Sequence, residues 1–309
     1  MPSASVIVVN TNDGRFLFEC LDRVAAAGGF LETILVDNAS TDGSRERVEA
    51  DYPWVRVIET GYNAGYTGAN NLGSYNAKGE VLIYLNPDAY VTPGWLEALL
   101  SAFDDPNVAI ASPKIYRGLP GTTDLFDSAG GDLEFPLGEG PPRGYLQKDT
   151  GQFQTRADVA YSSGTVFAIR ASIFKQTGGL DEDFFCYCEE SDLCWRARMA
   201  GLRCVYEPSS LVYHLGSMNF GAASPRKIYY QTRNRIVMSL QNLETRNLPA
   251  FVASELVHGL AVMLAAPFFP KYRQLGLAYA RAWAGVVAML PTVLWKRAKR
   301  QRERSLGDD

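Results

Sequence analysis

Three groups of residues carry side chains able to do chemistry. The first is Asn86-Pro87-Asp88, which closes the apolar run VLIYL at 81–85. The second is DEDFFCYCEESDLCWR at 181–196, which holds Glu189, Glu190 and Asp192. The third is His214 in LVYHLGS. A carboxylate such as Asp88, projected from the end of a buried strand, can hold a hard divalent ion, and that ion can neutralise a diphosphate. The same Asp also suits a turn ahead of the helix that begins near Thr92-Pro93-Gly94. Acids at 189, 190 and 192 suit the first turn of a helix, where each favours the positive end of the macrodipole by about 0.3–1 kcal/mol. A carboxylate placed there can equally take a proton as a general base. A lone His is ordinarily a structural residue.

These groups need elements to position them. An unbroken apolar run bounded by turn residues predicts a strand at 81–85 buried on both faces. Pro87 cannot donate to a sheet ladder and forces Asn86 out of the helical region, so the strand stops there. SVIVVN at 5–10, TILV at 33–36 and WVRVI at 54–58 predict three further strands. Between them, Phe16, Leu17, Cys20, Leu21 and Val24 recur at helical spacing and stop at Gly28-Gly29. Helices are also expected from the turn at 40–43 through 50, and at 67–76. Such alternation on short loops argues for βαβ units and a parallel sheet. Each strand ends in a polar cluster: Asn10, then Asp37-Asn38, then Asn63, then Asn86 with Asp88. Singly these are turn chemistry. Together they line the edge where open α/β sheets bind ligands. VNTNDGRF after the first strand lacks G-x-G-x-x-G, and no P-loop exists, so dinucleotide and P-loop chemistry are excluded.

The 309 residues suffice for one large or two small domains. A net charge of −4 argues against a polyanion binder, so nucleic acid is not an expected partner. The five cysteines are an odd number, and C-x-C-x5-C-x9-C matches zinc spacing poorly. Reduced cytosolic thiols and no signal peptide are expected.

SVIVVNTN, ILVDNASTDGS, NAGYTGANNLG and VLIYLNPDAYV together resemble the nucleotide-sugar domain of family-2 inverting glycosyltransferases, and most of all bacterial rhamnosyltransferase-like members. The resemblance spans roughly 4–240. It implies an α/β GT-A fold, a Rossmann-like mixed sheet, mostly parallel and flanked by helices, with a helical C-terminal extension. It implies that Asp37 contacts the nucleotide base and that the loop at 63–70 lies near the donor. Asn10, Asn38, Asn63 and Asn86 would join that donor site. The segment 86–88 matches the family's DxD metal motif, with Asn86 in place of the first Asp and Asp88 as the remaining carboxylate. His214 follows at the spacing of a His that completes a site for Mg or Mn. Glu190 matches the base position of the acceptor-side acidic motif. Asp192 is its rival as a catalytic group, and Glu189 and Asp192 otherwise serve the acceptor or the helix.

Inverting transfer needs one carboxylate to take the acceptor proton. It needs no paired acid if a cation takes the charge of the leaving diphosphate, unlike a glycoside hydrolase. KIYYQTRNRIVMSLQN at 227–242 predicts a helix. Its Arg233, with Arg226, Lys227 and Arg235, either reaches the diphosphate or is a solvated helix charge.

Residues 117–157 read as a variable insertion with a hairpin around 127–135. Strand patterning resumes over 159–169, broken by Ser162-Ser163-Gly164. Residues 217–223 read as a mobile Gly- and Ala-rich loop. The stretch 251–269 is long enough to span a bilayer, yet it holds Glu255 and His258. A charge at a helix centre costs about 2.5–3.5 kcal/mol. A second stretch, 276–295, carries Arg281 and Pro291. Both suit helices packed on the domain, lying in a membrane interface, or joining two copies. Six basic residues follow at 296–304, each worth about 1 kcal/mol near an anionic leaflet.

The expected division is 1–115 as the nucleotide-sugar half, 116–245 as the acceptor and catalytic half, and 246–309 as a helical region. The expected activity is inverting transfer of a sugar, rhamnose from a dTDP- or UDP-sugar. The expected acceptor is a saccharide or lipid-linked saccharide in cell-surface polysaccharide synthesis, met at the cytoplasmic face of the plasma membrane. A sugar-phosphate nucleotidyltransferase and a non-catalytic nucleotide-sugar-binding protein share the architecture. The first would need a Gly-rich basic loop after the first strand, which is absent. The second would bind donor and release no nucleoside diphosphate.

Overall fold

The computed structural model describes residues 1–135, 138–216, 224–265, 268 and 270–307. The loop expected at 217–223 lies outside them. In chain order the elements are β1 (Ala4–Asn10), α1 (Gly14–Ala27), β2 (Glu32–Asp37), α2 (Ser44–Asp51), β3 (Val55–Glu59), α3 (Gly65–Asn76), β4 (Val81–Leu85) and β5 (Ala89–Val91). They continue with α4 (Trp95–Ser101), β6 (Val108–Arg117), β7 (Phe126–Ser128), β8 (Gly131–Glu134), β9 (Gly138–Pro142), β10 (Ala157–Asp158), β11 (Val166–Arg170), α5 (Ala171–Thr177), α6 (Glu189–Met199) and β12 (Arg203–His214). Three helices follow: α7 (Pro225–Asn242), α8 (Leu248–Ala265) and α9 (Pro270–Glu303). The chain forms two compact units. One is Met1–Asp132, Pro141–Arg198 and Leu202–Gly216; the other is Leu133–Gly140, Met199–Gly201 and Ser217–Asp309.

In the first unit, the described residues make a ten-stranded sheet ordered β10-β12-β6-β11-β4-β1-β2-β3, with β5 on β12 and β7 on β6. β3, β2, β1 and β4 are mutually parallel. β11 runs against both β4 and β6, and β12 runs with β6. Six strands therefore point one way, and the sheet is mixed but mostly parallel. Successive side chains of a strand face opposite sides, so each central strand feeds two cores. Val6, Val8, Val81, Ile83 and Leu85 pack with Leu17, Leu21 and Val24 of α1 and with Trp95 and Leu96 of α4. Ile7, Leu82 and Tyr84 pack with Ala69 of α3, Phe174 of α5 and Leu193 and Ala197 of α6. All five side chains of β4 are buried, each contributing about 1.5–3 kcal/mol if large and apolar. That explains the unbroken apolar run.

β6 runs through Pro113, a residue that cannot donate to a sheet ladder. Its partner β12 shifts register between Glu207 and Leu211, next to the Pro113–Glu207 pairing, and a bulge tolerates a residue that cannot donate. The hairpin expected around 127–135 lies further on, where β8 pairs with β9. β7 joins β6 instead. Phe126 is the cause: it is fully buried, packed edge-on against the Tyr116 and Phe153 rings.

In the second unit, α7 starts two residues before the expected Lys227. Ser224 caps it, its hydroxyl accepting from the Lys227 amide at 3.2 Å, and Pro225 opens the first turn. The last carbonyls of α7 are satisfied by the basic end of α9. Arg297 donates to Leu240 O and Leu243 O, Arg300 to the Asn242 side chain, and Arg304 to Asn242 O. Cations at a helix C-terminus suit its orphan carbonyls and its dipole. Three of the six basic residues at 296–304 are thus engaged within the unit. Arg235 of α7 is likewise engaged, forming a two-pronged pair with Glu255 of α8, both contacts at 2.7 Å. The carboxylate that interrupts α8 in sequence is fully buried.

Candidate active site

The ends of the parallel strands converge as their polar residues predict. Asn10 pairs in register with Asp37. Its amide donates to Ser40 Oγ at 2.9 Å and Ser44 Oγ at 2.7 Å, and more distantly to Asp37 Oδ1 at 3.5 Å. The other Asp37 oxygen accepts from the Ser40 amide. Asn38 donates to Thr11 Oγ1 and to Asn63 Oδ1, at 3.1 and 3.2 Å, and accepts from the Ala64 amide. The structure brings Asn10, Asp37, Asn38 and Asn63 into one network that ties the loops after β1, β2 and β3.

Asn86 and Asp88 sit on the next turn. The Asn86 amide donates to Thr165 O, and its carbonyl accepts from Ala89. β5 then pairs antiparallel with the end of β12, with Ala89 opposite His214. That pairing sets Asp88 Oδ2 3.4 Å from His214 Nε2. Behind the imidazole, Nδ1 donates to Asp127 Oδ2 at 2.7 Å, and Arg117 lies 3.6 Å from the other Asp127 oxygen. Burial pulls the imidazole down, but its bonds to Asp127 and then Asp88 prevail and raise His214 to about 9. Among the described residues no three His, Cys, Asp or Glu side chains gather as a metal cluster. Asp88 and His214 are a pair rather than a cluster. One carboxylate and one imidazole suit a hard divalent cation that draws its other ligands from phosphate oxygens and water. A carboxylate behind the imidazole is the usual support for such a ligand.

The third group lies at the start of α6. The approach to it is strained: Phe185, Tyr187 and Cys188 all have positive φ, at 65°, 71° and 68°, a conformation non-glycine residues rarely adopt. Glu190 Oε1 accepts from the Gly164 amide at 3.0 Å. The next residue, Thr165, has its hydroxyl 3.4 Å from His214 Nδ1. Gly164 and Thr165 thus link the acidic helix to the histidine. Asp192 is placed differently. It is fully buried, and Arg196 Nε donates to its Oδ2 at 2.7 Å. The carboxylate is turned onto Arg196, which fits a helix support better than a proton acceptor. Arg233 belongs to the second unit, on α7, where its Nε donates to the Asn234 side chain and its guanidinium lies over the Tyr229 and Tyr230 rings.

Sequence reasoning missed the contacts of Asp127 and Thr165 with His214. Asp127 lies in the insertion at 117–157, where hydrophobic runs are too short to fix a strand. The break in strand patterning at Ser162-Ser163-Gly164 falls where the chain meets Glu190.

The fold is of the GT-A kind. It resembles a structure described as GalNAc-T7 with UDP, GalNAc and Mn2+, with a TM-score of 0.64 and 19% identity, covering 78% of this chain and 48% of that one. It also resembles the mannosyltransferase PcManGT from Pyrobaculum calidifontis in complex with GDP-Man and Mn2+, with a TM-score of 0.56 and 17% identity, covering 94% and 87%. The family model described as Glycosyl transferase family 2 matches residues 5–178, and the chain belongs to that family. Among curated relatives, it is 33% identical over 205 residues to the N-acetylglucosaminyl-diphospho-decaprenol L-rhamnosyltransferase of Mycobacterium tuberculosis, over 60% of this chain and 66% of that protein. It is 30% identical over 203 residues to the low-salt glycan biosynthesis hexosyltransferase Agl10 of Haloferax volcanii, over 63% and 61%. The chain thus spans a little under two thirds of each relative's length.

Proposed function

We propose that this chain is an inverting glycosyltransferase that moves a hexose from a nucleoside diphosphate donor to a saccharide acceptor. The observation that carries the reading is the link between two chemical groups. Asp88 faces His214 at 3.4 Å, and Gly164-Thr165 joins that pair to Glu190. The Asn10, Asp37, Asn38 and Asn63 network would hold the nucleotide, and Asn86 would border its phosphates. Asp88 and His214 would hold Mg or Mn, which neutralises charge on the leaving diphosphate. Glu190 takes the proton of the acceptor hydroxyl as that oxygen bonds to the anomeric carbon and the bond to the diphosphate breaks. Asp192 steadies α6. Arg233 remains a candidate phosphate contact on its resemblance alone.

The mycobacterial relative supports rhamnose as the sugar and a lipid-linked saccharide as the acceptor; the donor we infer is a dTDP-sugar, with a UDP-sugar next. A lipid-linked acceptor used together with a nucleotide-sugar donor supports a position at the cytoplasmic face of a membrane. Leu256, Val257, Leu260, Met263 and Leu264 form an exposed apolar face on α8, which supports peripheral attachment. Joining two copies is the competing use of that face.

The test is turnover of dTDP-rhamnose and UDP-sugars with Mn2+ and a polyprenyl diphosphate-linked N-acetylglucosamine. Glu190→Gln should keep nucleotide binding, read as a thermal shift, and lose about 10²–10⁴-fold in turnover. Full activity in that variant sinks the assignment of the base. Donor binding with no release of nucleoside diphosphate in the parent protein identifies a binding protein instead.

A further inference from the structure

We propose that Tyr66, acting through the backbone of Gly164, is a positioning residue that sets the carboxylate of Glu190. The inference rests on Glu190 being the base. Tyr66 OH donates to Gly164 O at 2.8 Å, and Gly164 N donates to Glu190 Oε1 at 3.0 Å. The two bonds hold Gly164 on both sides of its α-carbon, so together they restrain the two backbone dihedrals that aim its amide at Glu190. A Cβ on Gly164 would lie 2.9 Å from Glu190 Oε1 and 3.1 Å from its Cδ, so any side chain there would have to displace the carboxylate. The hydroxyl of Tyr66 stays a donor, because burial first and then Glu189 and Glu190 push its ionisation well above the ordinary value.

The same turn of α3 holds the acidic segment a second time. The Thr67 amide and hydroxyl both donate to Phe185 O, at 3.2 and 3.3 Å. Gly65, at φ 72°, leaves room for that carbonyl, which any Cβ there would strike. Phe185 opens the strained run that leads into α6. Three consecutive residues, Gly65, Tyr66 and Thr67, therefore touch the supports of Glu190 from the end of the loop that carries Asn63. The loop that borders the nucleotide and the group that receives the proton are held by one helical turn.

The experiment compares Tyr66→Phe, Glu190→Gln and the double variant. Tyr66→Phe keeps the ring and removes only the donor. We expect kcat to fall on the order of tenfold, with donor KM and nucleotide Kd held to within about twofold. In the Glu190→Gln background the same change should have no effect, because the group it positions is gone. Unchanged kcat in Tyr66→Phe overturns the inference. So does an equal loss in both backgrounds, the signature of a merely structural ring. Gly164→Ala is the second variant if Tyr66→Phe fails to fold. It displaces the carboxylate directly and should lower kcat with nucleotide Kd intact; an unchanged kcat there also overturns the inference. If Glu190→Gln keeps full turnover, the base assignment falls and this inference with it. If only the Tyr66 and Gly164 variants are silent, the base assignment stands and the inference alone fails.

Discussion

His214 donates its Nδ1 proton to Asp127, 2.7 Å away and 87 residues earlier in the chain. The bond fixes the ring and directs Nε2 at Asp88. Asp127→Ala should weaken Mn2+ binding by about 10–100-fold, the usual effect of losing the group behind a ligating imidazole. Titration calorimetry with Mn2+ alone measures it. Unchanged affinity would reduce Asp127 to a fold contact.

Asp192 and Arg196 make a different kind of pair. Besides Asp192, Arg196 donates to Thr177 O and Gly179 O at 2.7 and 2.8 Å, so the buried guanidinium staples α6 to the end of α5. Asp192→Ala leaves it without its counter-charge. Breaking a buried pair on one side costs about 3–5 kcal/mol, and urea denaturation should show that loss. A variant as stable as the parent but inactive would instead make Asp192 the base.

Acid should act through Asp149. Burial pushes its carboxyl up, but hydrogen bonds from Lys114 and then Tyr116 prevail and bring it down to about 2. A depressed folded value means stability that is present above the ordinary 3.8 and lost as pH falls through about 2. The gap in stability between parent and Asp149→Asn should be constant above pH ~4 and close below it. Denaturant melts across that window decide it; a gap that persists to pH ~2 would assign the effect to packing.

The apolar face of α8 gives a prediction about lipid. The full chain should sediment with vesicles rich in anionic lipid and less with neutral ones, since Lys299 and Arg302 are exposed at the end of α9 beside Trp295. Leu256→Glu with Leu260→Glu should abolish sedimentation. Concentration-dependent dimers without vesicle binding would give the face to a second copy.

The legible parts of this protein were local. β4 and the Asn86-Pro87-Asp88 stop were readable because an apolar run and a proline act within a few residues. The strand-end cluster was readable because parallel strands bring equivalent ends together, as the Asn10–Asp37 register shows. Asp127 was hidden because its meaning depends on a partner 87 residues away. The Asp192–Arg196 pair was also legible, since Arg196 stands four residues on and the spacing is that of a helical ion pair. Arg235 read as either a phosphate-reaching or a solvated helix charge because nothing local announced Glu255 as its partner.

That partner also bears on how the chain is made. Arg235 leaves the ribosome 20 residues before Glu255, and α8 follows as a nascent segment long and apolar enough to tempt an insertion machine. An ionised carboxylate near its middle raises the cost of insertion by about 2.5–3.5 kcal/mol, so Glu255 should act as a veto on spanning while the segment is young. Folding then retires the charge against Arg235, and the finished surface shows no trace of it. Glu255→Leu would lift the veto and move chains into the carbonate-resistant membrane fraction. One residue would thus decide, once per molecule and before the enzyme exists, on which side of the bilayer boundary it spends its life.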